Sequence, residues 1–99
     1  MDSFVTVTKT GIQLTTSAVS AGAAIPTASS GEIPRYIRVS ATAAACVRIG
    51  PGAQTAVVTD LMVQPGDPVI LQVPGGLTHI AAVQVTAAGV VQVSPLENL

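Results

Sequence analysis

Residues 35–50 read RYIRVSATAAACVRIG. Two runs in this stretch alternate apolar and polar side chains with a period of two, the spacing of a strand and not of a helix. In Arg35–Ser40, Ile37 and Val39 point to one side and Tyr36 and Arg38 to the other. In Ala45–Ile49, Val47 and Ile49 share the apolar side while Cys46 and Arg48 face outward. Joining the runs as a hairpin sets Val39 opposite Val47 and Ile37 opposite Ile49, with Thr42-Ala43-Ala44 as a three-residue turn. A slip of one residue would turn one apolar face to the wrong side. This register also puts Arg38 beside Arg48 on an outer face, where like charges directly opposite are unfavourable unless a carboxylate of this chain or another lies close.

The same alternation recurs on both sides of this stretch. Strands are expected at Phe4–Thr8, Ile12–Thr16 and Ala21–Ile25, then at Val57–Gln64, Val69–Val73, His79–Thr86 and Val90–Ser94. Small polar residues, Gly and Pro punctuate them. Pro65-Gly66-Asp67-Pro68 and Pro74-Gly75-Gly76 are strong turn signals. Val83 and Val85 face Val93 and Val91 if Ala87-Ala88-Gly89 is a hairpin loop with Gly89 in the left-handed conformation. The expected fold is therefore all-β: a single-domain antiparallel β-sandwich or small jelly roll of seven to nine short strands spanning residues 1–99. Residues 1–16 form an N-terminal arm or edge strands, and residues 26–34 a loop.

Charged residues make up 9% of the chain, against roughly 25% in an ordinary domain. Much of the surface must then be Ala, Val, Thr, Ser and Gln, which suits burial against other chains. Net charge is −1, and the four cations are scattered. That arrangement supplies no counterion-displacing surface for nucleic acid. No apolar run approaches the roughly 20 residues of a membrane helix, so neither nucleic acid nor membrane is expected as a partner. The first residues, MDSFVTVTKTG, lack the basic and apolar regions of a signal peptide, which predicts a protein that stays in the cytosol where it is made. A single cysteine excludes an internal disulfide.

Catalytic motifs are missing from the pattern. Gly50-Pro51-Gly52 follows a strand, but neither the Lys nor the helix of a phosphate-binding loop comes after it. Cys46 could act as a nucleophile only with a base beside it, and His79 is the one histidine. Nothing in the spacing brings the two together. One His, one Cys and five scattered carboxylates give no metal-ligand cluster. No catalytic, cofactor-binding or metal-binding residue is assigned, no cofactor is expected, and the chain is read as a non-enzyme. The side chains singled out instead are candidates for a partner interface. Arg38 and Arg48 suit bidentate pairing with carboxylates. Tyr36 is an interface anchor on the same face, and Phe4 could dock an N-terminal arm on a neighbour.

The stretch from Tyr36 to Glu97 adds a likeness. The RYIRVS strand, the small-residue turn and the CVRIG strand are followed by a T-A-x-x-x-D-L segment and a P-G-D-P turn. An LQVPGGLTHIAAV run, an A-A-G hairpin and a SPLE tail complete it. Over residues 12–97 the chain resembles a group of small virion structural proteins encoded by tailed bacteriophages and prophages. The resemblance implies a β-sandwich capsid decoration, or cement, protein. Such a protein is made in the host bacterial cytoplasm, binds the outer capsid surface and clamps adjacent capsomers. Its implied partners are the major capsid protein and copies of itself, as a dimer or trimer. A tail, baseplate or fibre-attachment protein of the same fold is the alternative within that class. A small carbohydrate- or cell-surface-binding module is the alternative outside it, disfavoured because only Tyr36 and Phe4 could stack a sugar.

Overall fold

Period-two alternation becomes nine strands, with no helix among the described residues of the computed structural model, which describes residues 5–7, 10–29 and 31–98. In chain order they are β1 (Val5–Thr6), β2 (Ile12–Thr16), β3 (Ala21–Ala24), β4 (Tyr36–Ala41), β5 (Ala45–Gly50), β6 (Leu61–Val63), β7 (Val69–Gln72), β8 (His79–Gln84) and β9 (Gly89–Asn98). In the first of two antiparallel sheets, β1 and β2 share one edge of β9, β4 lies along the other edge, and β7 follows β4. The second sheet runs β3-β8-β5-β6. From β2 onward the chain changes sheet at every connection except that between β5 and β6. This winding, with β2-β9-β4-β7 packed on β3-β8-β5-β6, is the topology of a jelly roll.

The hairpin expected over residues 35–50 does not form. Val39 lies between Val69 and Val93 in the first sheet, and Val47 lies between Leu61 and Ala82 in the second. Both arrangements satisfy the same alternation. Two strands side by side turn their apolar faces the same way, and two strands in facing sheets turn theirs toward each other. The linker makes the crossing in three residues. Thr42 is still tied to the first sheet, donating its N–H to Val90 O at 2.9 Å and accepting from Val90 N at 2.8 Å through Oγ1. Ala44 O already accepts from Val85 N at 3.3 Å, at the end of the second sheet.

The expected pairing of Val83 and Val85 with Val93 and Val91 is replaced in the same way. Val83 pairs with Cys46, whereas Val91 and Val93 sit between β2 and β4. Gly89 is not left-handed; its small size serves a close approach. A Cβ there would lie 2.8 Å from Thr42 Oγ1, 2.9 Å from Ala43 Cβ and 3.1 Å from Ala43 N. The two crossing links therefore pass in contact at one end of the sandwich. The strand expected over Val57–Gln64 shrinks to Leu61–Val63, because Asp60 N donates to Val57 O at 3.0 Å and closes a turn before it. The Pro65-Gly66 turn forms where expected: Asp67 N donates to Gln64 O at 3.1 Å, with Gly66 at φ 78° as the third residue of a type II turn.

Between the sheets, Ile37, Val39, Val91 and Val93 meet Ala45, Val47, Val63 and Ile80. Each fully buried Val or Ile contributes about 1.5–3 kcal/mol. Thr16 is the buried polar side chain within it, and its hydroxyl is satisfied twice. It donates to Gly89 O at 3.1 Å and accepts from Gly89 N at 2.9 Å, tying β2 to the start of β9.

Candidate interface surfaces

The jelly roll presents two outer faces, and the candidate interface residues divide between them. On the first sheet, β4 turns Tyr36 and Arg38 outward, since Ile37 and Val39 between and beyond them are fully buried. Arg38 stands between Ile70 and Ser94, and Tyr36 between Gln72 and Leu96. Gln13, Thr15 and Gln92 extend the same face as exposed, uncharged side chains. Ile70 is 58% exposed on this face, and Arg38 is exposed without a polar partner among the described residues. Phe4 lies outside the described residues.

Arg48 is on the other side of the molecule. It projects from β5 on the outer face of the second sheet, so the expected Arg38–Arg48 juxtaposition is wrong: a sandwich separates them. The carboxylate it needed comes from its own chain. Arg48 Nη2 donates to Asp60 Oδ1 at 3.0 Å. Asp60 Oδ2 accepts from Val57 N at 2.9 Å. The Val57 amide first, and Arg48 second, hold the Asp60 carboxyl below its ordinary aspartate range.

That ion pair anchors a segment that the sequence read as a turn and a strand. Residues 51–60 leave β5, run across the outer face of the second sheet and return to β6. Gly52 N donates to Thr78 Oγ1 at 3.2 Å near the start. Ala56 N donates to Ser20 Oγ at 2.8 Å beside β3. Under this strap Ala56 packs with Cys46, Ala81 and Val83, a small cluster separate from the main core. Cys46 keeps its outward direction but is fully buried, and its thiol donates to Val58 O at 3.4 Å. Burial first, and the Asp60 charge second, push that thiol above its ordinary range, the reverse of what an attacking thiolate needs.

His79 is elsewhere on the same face. Cys46 pairs with Val83 and Gly50 with His79, four residues farther along the ladder, about 13 Å at the usual rise per residue. Its Nδ1 is 2.8 Å from Thr78 Oγ1. The same hydroxyl accepts from Gly52 N. The imidazole edges a cleft of about 340 Å³ lined otherwise by Gly22, Ala23, Ala24, Ala53 and Gln54, with no carboxylate or thiol among the described residues. Among the described residues no three His, Cys, Asp or Glu side chains come together as metal ligands.

Two features of these faces were missed from sequence alone. Asp60 follows Arg48 by twelve residues, and the need for a nearby carboxylate was its available signal. The strap had only the shortness of the turn-like GPG run to announce it. No protein-family profile, characterised protein or solved structure matches the chain.

Proposed function

We propose that the chain is a structural protein of a tailed-bacteriophage virion, a decoration protein that sits on the outer capsid surface as a dimer or trimer and ties neighbouring capsomers together. The observation that carries this reading is the outer face of the first sheet. Among the described side chains it is a broad carpet of Gln, Ser and Thr with one charge, Arg38, beside an exposed isoleucine, Ile70. A face of that kind supplies contact area and one directed cation. Arg38 suits a carboxylate of the major capsid protein, with Tyr36 beside Gln72 and Leu96 on the same face. The resemblance of residues 12–97 to virion proteins points the same way. The jelly roll is compatible with the reading but does not select it, since the fold hosts many functions. Binding strength in this reading comes from repetition, because weak contacts held around a symmetric shell reinforce one another through effective concentration.

The deciding measurement is copy number on purified particles. Decoration requires on the order of hundreds of copies per head, each class of site repeated by the shell's symmetry. The few copies of a ring would move the protein to the tail or portal, and no copies at all would overturn a virion role.

A further inference from the structure

We infer that residues 51–60 form a strap that opens and closes over the outer face of the second sheet as one unit, while the sandwich beneath it stays folded. The inference does not depend on what the protein binds. The strap's attachments are few and local: the Arg48–Asp60 pair, the Ala56–Ser20 and Gly52–Thr78 hydrogen bonds, and the Cys46 contact to Val58 O. None of its residues from Pro51 to Asp60 belongs to a strand ladder. One of its side chains, Ala56, is buried, while Val57 and Val58 are 43% and 61% exposed. The cluster it covers is distinct from the main core, whose side chains point to the opposite side of β5 and β8. Lifting the strap therefore breaks no sheet hydrogen bond and leaves the interior closed. Segments with few buried contacts open at free energies well below that of global unfolding.

Cys46 is the chain's one cysteine and lies directly beneath the strap, so its thiol reports opening without ambiguity. The experiment follows Cys46 labelling by a soluble thiol reagent over a series of urea concentrations, with far-UV circular dichroism recorded in parallel. Labelling below the main transition is expected to proceed at a rate nearly independent of urea. Arg48→Ala should raise that rate on the order of tenfold, with Asp60→Asn and Ser20→Ala acting in the same direction. The circular dichroism midpoint of these variants should stay close to that of the unaltered protein, and amide exchange at Ala56 and Val57 should accelerate in step with labelling. A labelling rate that climbs with the full urea slope of global unfolding would overturn the inference. So would strap variants that label no faster than the unaltered chain.

Discussion

Replacing Gly89 tests the path of the chain more directly than any core substitution. In a β8–β9 hairpin, Gly89 would occupy a left-handed turn position, where Asn is tolerated better than Ala. In the jelly roll it is wedged against the Thr42–Ala44 link, and any Cβ meets Thr42 Oγ1 at 2.8 Å, Ala43 Cβ at 2.9 Å and Ala43 N at 3.1 Å. One of these three is backbone, so the overlap is not relieved by rotating a side chain. Overpacking of this kind costs about 1–3 kcal/mol, a substantial part of the roughly 5–15 kcal/mol that holds a domain of this size. At about 4–8 °C per kcal/mol for a small domain, the melting temperature should fall by roughly 8–16 °C for a 2 kcal/mol loss. Gly89→Asn should be at least as damaging as Gly89→Ala. Ala43→Gly removes the 2.9 Å contact, so the double variant should recover part of the loss, with a coupling of about 0.5–2 kcal/mol in a double-mutant cycle measured by urea unfolding. A neutral Gly89→Ala, a milder Gly89→Asn, or no coupling to residue 43 would refute the crossing-link account.

Ile37→Ala should lose about 2–5 kcal/mol in urea unfolding, while Ile70→Ala, on the solvent side of the adjacent strand, should stay within about 0.5 kcal/mol for the isolated chain; equal effects would contradict the assigned faces. Thr16→Val leaves the Gly89 amide and carbonyl without their hydroxyl partner and should cost about 1–3 kcal/mol by the same assay, whereas no loss would mean that water replaces the hydroxyl. Asp60 is depressed in the folded chain, so its contribution is complete above the ordinary aspartate value of 3.8 and disappears as pH falls through the lower folded value. The ratio of Cys46 labelling rates between Asp60→Asn and the unaltered protein, measured with an acid-tolerant disulfide reagent, should therefore be large near neutral pH and approach unity in acid; a ratio constant across pH would remove the charge from the strap's anchoring. On capsids, Arg38→Ala should lower occupancy while Arg48→Ala does not, because Arg48 is engaged within its own chain; the opposite ranking would place the contact on the second sheet.

Period two was legible in nearly every strand because one face of each sheet is buried, and Ile37, Val39, Val47 and Ile49 all point where alternation puts them. Pairing was not legible. Thr42-Ala43-Ala44 and the residues before Gly89 are short enough for a hairpin and long enough to cross a sandwich, and nothing local separates the two. The choice is made by distant partners: β9 draws β4 into the first sheet, and β8 draws β5 into the second. The error propagated to the candidate surface, since the Arg38–Arg48 pairing rested wholly on that register. Arg38 kept its exposed place on an outer face, and Arg48 acquired a partner from a segment whose alternating Val57 and Leu61 had suggested a strand.

The order of the strands has a consequence for how the molecule comes into being. None of β1, β2, β3 or β4 hydrogen-bonds to another of those four; their partners are β7, β8 and β9. As the polypeptide leaves the ribosome, its first four strands emerge with no ladder open to them, and β5 with β6 is the one pair of successive strands in the second sheet able to zip early. β1 and β2 wait for β9, which is synthesised after every other strand. The ladders of this chain thus depend on sequence-distant closure, and removal of β9 would leave β1 and β2 with no strand partner and β4 with β7 alone.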